Sequence, residues 1–120
     1  MVKKILIAED EKPMAHALEL KLNKSGYEAK AVYDGEQAIE ELGKNKYDLM
    51  LLDLMMPKTD GFGVLEALKE KKIKIPVIVS TNLFQEGDIE KAKSLGAIDY
   101  FVKSDTPITG VIEHIKKILG

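Results

Sequence analysis

Three short apolar runs, Ile5 to Ala8, Leu49 to Leu52 and Pro76 to Ser80, constrain this chain more than any other feature. Each is too short for a buried helix and has no polar residue alternating through it, so it reads as a strand covered on both faces. Such strands need a layer of structure on each side, and the intervening segments supply it. Met14, Ala17, Leu18 and Leu22 share one helical face before Gly26. Asp34 and Gln37 form a capping-box-like pair ahead of Ala38, Ile39 and Leu42. Val64, Leu65 and Leu68 mark a third helix, and Ile89, Ala92 and Leu95 a fourth that ends at Gly96, with Gly87 blurring its start. Ile108, Val111, Ile112, Ile115 and Leu119 line a fifth, for which Thr106 and Pro107 suit the N-cap and first position.

Two weaker strands, Tyr27 to Val32 and Asp99 to Val102, complete the alternation and belong at the sheet edges, where partial exposure is tolerated. Five strands alternating with five helices predict an α/β fold: a doubly wound (βα)5 parallel sheet with right-handed crossovers and strand order 2-1-3-4-5. Ligands in such sheets bind beyond the carboxyl ends of the strands, where the strand order reverses, here between the first and third.

The chain of 120 residues is expected to form one domain over 1–120, ending with its fifth helix and carrying no output domain. With 18 basic and 20 acidic side chains intermixed and a net charge of -2, it has no broad basic field, which argues against direct nucleic-acid binding. The absence of cysteine removes disulfides, thiol catalysis and cysteine-ligated zinc together. Lys3 and Lys4 precede an apolar run too short for a signal peptide or a membrane span, so a cytoplasmic location and no membrane partner are expected.

The strand ends carry the chemistry. The first strand runs into Glu9 and Asp10 and the third into Asp53, three carboxylates converging on the predicted switch point. Mg2+ characteristically takes one or two carboxylates together with waters and phosphate oxygens, and would relieve their repulsion. Glu9 and Asp10 also suit the dipole of a helix start, and Asp53 suits a turn cap. Held between an apolar strand and the turn Met55-Met56-Pro57, however, Asp53 has the setting of a nucleophile that forms an aspartyl phosphate. The Met55 carbonyl lies within reach of a metal held there. The fourth strand ends at Ser80, Thr81 and Asn82 and the fifth runs into Lys103. Alone, Thr81 is an ordinary strand residue and Lys103 a solvated one, but together they bring a hydroxyl and an ammonium to one edge, where phosphoryl oxygens need them.

Glu9-Asp10, the stretch Asp53-Leu54-Met55-Met56-Pro57-Lys58-Thr59-Asp60-Gly61, Ile75 to Thr81, and Gly96 to Lys103 make the chain resemble the receiver domains of bacterial response regulators over essentially its whole length. The resemblance, closest in kind to single-domain chemotaxis receivers, implies a flavodoxin-like fold. It also implies a two-component signalling switch that is not a turnover enzyme, although it assists its own aspartyl phosphorylation and dephosphorylation. Carried over by position, it implies that Asp53 accepts a phosphoryl group from a sensor histidine kinase or a phosphotransfer protein. Glu9, Asp10, Asp53 and the Met55 carbonyl would hold Mg2+, Lys103 would pair with the phosphoryl group, and Thr81 would move to bond one of its oxygens. Tyr100, by itself an ordinary edge-strand aromatic, matches the aromatic switch position. The signal would emerge on the face of the fourth helix, fifth strand and fifth helix, toward a downstream protein the sequence does not name.

The chain departs from that pattern at two places. Ser104 follows Lys103 where the family commonly has proline, often with a cis bond; a non-proline cis bond costs about 2.5 to 4 kcal/mol, which predicts a trans Lys103-Ser104 bond. Asn82 follows Thr81 where a small residue is usual, with Leu83 beyond it. Met55 and Leu83 are expected to screen the phosphoryl group from water and slow its loss. Other functions fit less well. A Mg2+-dependent phosphohydrolase would want an acid at position 55, where methionine stands, and a flavin carrier would want open amides after the first strand rather than carboxylates. A phosphorylation-independent binding module would have no need of the complete residue set.

Overall fold

The computed structural model describes residues 2–82 and 85–120, so Leu83 lies outside the described residues. Along the chain run β1 (Lys4–Ala8), α1 (Lys12–Lys24), β2 (Glu28–Val32), α2 (Gly35–Lys44), β3 (Leu49–Leu52), α3 (Gly61–Glu70), β4 (Val77–Thr81), α4 (Glu86–Ser94), β5 (Asp99–Val102) and α5 (Ile108–Leu119). A 3-10 turn, Lys103–Asp105, joins the last two. The strands form one sheet in the order β2-β1-β3-β4-β5, with each neighbouring pair parallel. This is the predicted doubly wound architecture, with the two weaker strands at the edges.

The unbroken apolar character of the central strands follows from this layering. Leu6, Ala8, Met50, Leu52, Val77 and Val79 pack on one side with Val64, Leu65 and Leu68 of α3 and Ala38 of α2. Ile5, Ile7, Leu49, Leu51 and Ile78 pack on the other with Leu18 and Leu22 of α1 and Val111, Ile112 and Ile115 of α5. Successive residues of a strand point to opposite faces, so both parities must be apolar when both faces are covered.

Helix ends follow the sequence signals with one correction. Gly26 and Gly96 follow the ends of α1 and α4 in the left-handed region, at φ of 96° and 112°. Asp34 caps α2 by accepting from the Gln37 amide at 2.8 Å, and the Gln37 side chain reaches back to the Tyr33 amide at 2.9 Å. At α5 the N-cap is Pro107, in extended backbone at φ -67° and ψ 159°, and not Thr106. The Thr106 amide instead donates to the Lys103 carbonyl at 3.4 Å, closing the 3-10 turn, so Thr106 belongs to the preceding element. β4 pairs from Val77 rather than Pro76, whose nitrogen has no proton to give, although its carbonyl accepts from Met50 at 2.9 Å. The described residues contain no cis peptide, so Lys103-Ser104 is trans as expected.

Glu41 ties α2 to the edge of the sheet. Its carboxylate accepts from the Tyr47 hydroxyl at 2.6 Å, from the Asn45 amide at 2.9 Å and from Lys30 at 3.2 Å. The Tyr47 bond, then those of Asn45 and Lys30, hold the Glu41 carboxyl below the usual carboxylate range against the opposing effect of burial. A depressed carboxylate contributes stability that is present above the ordinary range and is lost as pH falls through the folded value. Glu41→Gln is therefore expected to lose about 1 kcal/mol at neutral pH and to converge on the wild type in acid. Urea denaturation across a pH series measures this, and a gap that does not close in acid would contradict it.

Candidate functional site

The sheet itself spaces the acidic groups. The Glu9 amide donates to the Val32 carbonyl and the Asp53 amide to the Ala8 carbonyl, both at 3.0 Å, so hydrogen bonding continues one residue past the strands. Glu9 and Asp53 are thereby fixed side by side at 3% and 5% exposure, while Asp10 faces solvent at the rim. One carboxylate oxygen from each of the three lies within 4.8 Å of the others. That donor set of clustered hard oxygens suits a small divalent cation.

Lys103 enters from the first residue of the 3-10 turn, one position beyond β5. Its ammonium lies 2.5 Å from Glu9 Oε1, 2.9 Å from Asp53 Oδ2 and 3.4 Å from Glu11 Oε1. Burial raises the Glu9 carboxyl above its ordinary range, the nearby Asp53 charge adds to this, and bonds from Lys103 and the Glu11 amide work against it. Burial alone would depress Lys103, but its bonds to Glu9 and Asp53 outweigh that and push the ammonium well up. Both shifts express one imbalance: four carboxylates, at Glu9, Asp10, Glu11 and Asp53, face a single firmly charged ammonium. The site attracts positive charge, and it holds the Asp53 carboxylate at both ends. Asp53 Oδ1 accepts from the Met55 amide at 3.1 Å, and Oδ2 from Lys103.

These groups open into a cleft of about 210 Å³ lined by Asp10, Glu11, Asp53, Met55, Thr81, Asn82 and Lys103. Thr81, the last residue of β4, is fully buried, and the Met55 side chain is 56% exposed at the mouth. Six of the seven residues singled out from the sequence, Glu9, Asp10, Asp53, Met55, Thr81 and Lys103, therefore meet at this end of the sheet. Tyr100 lies on the edge strand, packed against the cluster that contains Leu52 and Val79, and its hydroxyl is buried without a hydrogen-bond partner among the described residues. Burial raises its phenol above the ordinary range, with the charges of Asp88 and Asp53 adding to the effect.

Two residues at the site escaped the sequence reading. Glu11, the N-cap of α1, donates its amide to Glu9 Oε2 at 3.1 Å and offers its own carboxylate to Lys103. It directly follows Glu9 and Asp10, so the run of three acids was its signal. Asn82 was noted only as a departure, yet its Oδ1 accepts from the Ser104 amide at 3.0 Å.

Known proteins place this geometry in context. The family model described as the response regulator receiver domain matches residues 5–112. The chain is 37% identical over 119 residues to the alkaline phosphatase synthesis transcriptional regulatory protein PhoP of Bacillus subtilis, covering 99% of this chain and 49% of that protein. It thus spans about half the length of that curated relative. Among solved structures, it is similar to the signal receiver domain of a signal transduction histidine kinase from Syntrophus aciditrophicus, with 31% identity, a TM-score of 0.86 and coverage of 98% and 90% of the two chains. A response regulator receiver domain from Francisella matches with 29% identity and a TM-score of 0.89, covering 95% of this chain and 93% of that one. A family match over 5–112, joined to this sheet order and this cluster of acids, makes the chain a member of the response regulator receiver domain family of two-component signalling.

Proposed function

We propose that the chain is a phosphorylation-activated switch in which Asp53 accepts a phosphoryl group from a phosphohistidine of a sensor histidine kinase or phosphotransfer protein. The observation that carries this reading is the setting of Asp53: a buried carboxylate, gripped at both oxygens, at the edge of an open cleft beside a charged lysine. In the transfer, an Asp53 oxygen forms a bond to phosphorus as the phosphorus–nitrogen bond breaks. The electron pair of that bond stays on the imidazole, which takes up a proton.

Receiver domains generally bind Mg2+ at an acidic pocket, and here Glu9, Asp10 and Asp53, with the Met55 carbonyl, would hold it. When bound, the ion supplies positive charge against the phosphoryl oxygens. The chain's own residues do the rest. Lys103 neutralises a further oxygen, Thr81 offers a hydroxyl from the end of β4, and the sheet holds the nucleophile in place with little reorganisation. Met55 screens the product at the mouth of the cleft.

The response would leave through α4, β5 and α5 to a downstream protein. Tyr100 supports this route, because a buried hydroxyl lacking a partner is costly and a second ring position relieves it. The proposed unit is the receiver over residues 1–120, acting as a switch rather than by turnover. No helix among the described residues is long and apolar enough to cross a membrane, in keeping with a proposed cytoplasmic site of action.

Incubation with Mg2+ and acetyl phosphate, followed by intact-mass measurement, tests the proposal. The wild type is expected to gain one phosphoryl group, and Asp53→Asn and the chelator-treated protein none. Equal gain by Asp53→Asn would move the site elsewhere, and no gain by the wild type would favour a phosphorylation-independent binding module.

A further inference from the structure

The two places where the sequence departs from the receiver pattern, Asn82 and Ser104, touch each other. Asn82 Oδ1 accepts the Ser104 amide proton at 3.0 Å across a separation of 22 residues. The last paired residues of β4 and β5 are Thr81 and Val102, so this bond lies just beyond the end of the ladder, with a side-chain carbonyl where a backbone carbonyl would stand in a longer strand. Lys103 is the residue between. On its amino side it is fixed by the Thr81–Val102 pairing, on its carboxyl side by the Asn82–Ser104 bond, and its own carbonyl accepts from Thr106. A long, flexible lysine side chain is aimed largely by its backbone, and here that backbone is held by three contacts.

We infer that Asn82 is a positioning residue, which acts through the Ser104 amide to hold the 3-10 turn and so directs the Lys103 ammonium onto Asp53. This rests on the phosphorylation reading for its kinetic consequence but not for its geometry. A trans bond at Lys103-Ser104 leaves an N–H at position 104 that needs an acceptor, and Asn82 supplies one at the rim of the reacting cleft. A small apolar residue at 82 would leave both the amide and the turn untethered.

Two measurements test the inference. In amide NMR, the Ser104 proton is expected to be protected from exchange in the wild type and to lose that protection in Asn82→Ala, with a shift of the Lys103 ammonium signal. In phosphorylation from acetyl phosphate, Asn82→Ala is expected to lower the maximal rate roughly tenfold while leaving the Mg2+ concentration at half-saturation within about twofold, since a misaimed lysine affects transfer rather than the acidic pocket. Ser104→Pro removes the donor, so adding Asn82→Ala to it should change the rate by less than about twofold. Full multiplication of the two effects would show that Asn82 acts without Ser104 and would overturn the inference, as would equal Ser104 exchange in wild type and Asn82→Ala. If the wild type takes up no phosphoryl group, the functional proposal fails instead, and the Lys103 ammonium shift alone decides the positioning role.

Discussion

Lys103→Met is expected to destabilise the metal-free protein by roughly 3 kcal/mol, and to lose much of that penalty when Mg2+ is added. The side chains of Glu9 and Asp53 are 4% and 6% exposed, and Lys103 is the ammonium that contacts both. Removing one partner of a buried ion pair leaves the other charge uncompensated, which is far more harmful than replacing the whole pair. Here two carboxylates are stranded together, with Asp10 and Glu11 adding repulsion. A divalent cation bound by the same acids would restore positive charge, so added Mg2+ should stabilise Lys103→Met more than the wild type. Phosphorylation should not recover in parallel. It is expected to stay about a hundredfold slow, because the ion does not replace the ammonium on the phosphoryl group. Urea denaturation with and without Mg2+ and the acetyl phosphate assay separate the two effects. A stability loss that Mg2+ leaves untouched would show that Lys103 contributes packing rather than charge.

Gly35→Ala is expected to be the most damaging methyl addition in the chain, with a loss of about 3 kcal/mol or more. A Cβ at Gly35 would fall 1.9 Å from the Thr59 carbonyl oxygen and 2.7 Å from the Thr59 Cβ. Neither the backbone carbonyl nor the start of α2 can yield easily, since Asp34 is engaged in its cap and in an ion pair with Lys58 at 3.9 Å. Relief must come from displacing the segment that joins Asp53 to α3, so the variant should also phosphorylate poorly. Gly43→Ala in the same helix is the control. Nothing lies within 4 Å of its added methyl, and it is expected to stabilise by about 0.5 kcal/mol. Thermal unfolding of the two variants checks the contrast, and comparable midpoints would refute the close-approach argument.

How far the sequence disclosed this molecule follows from the range of each interaction. β1, β3 and β4 were legible because covering both faces of a strand leaves an unbroken apolar run, a local signal. The strand-end residues Glu9, Asp10, Asp53, Thr81 and Lys103 became a site because parallel topology sends every strand's carboxyl end to the same side. The N-cap of α5 was misplaced by one residue because Thr106 is drawn into the 3-10 turn after Lys103, and that turn leaves no periodic trace. The Gly35–Thr59 approach and the Asn82–Ser104 bond were invisible for the same reason. Each depends on how finished elements dock, and neither residue type announces a distant partner. Glu11 was a different failure, since the signal lay beside two acids already chosen and went unread.

Lys103 reaches Asp53 across 50 residues of sequence and Glu9 from the opposite end of the chain, and the cleft draws on β1, β3, β4 and the segment after β5 together. No fragment of the chain holds even a partial copy of this centre. A nascent or damaged protein lacking its last strand would have the acceptor aspartate but not the ammonium that contacts it. Competence to receive a signal is therefore tied to completion of the sheet, and the same contacts that assemble the site act as proofreading, keeping an unfinished protein silent in the pathway it serves.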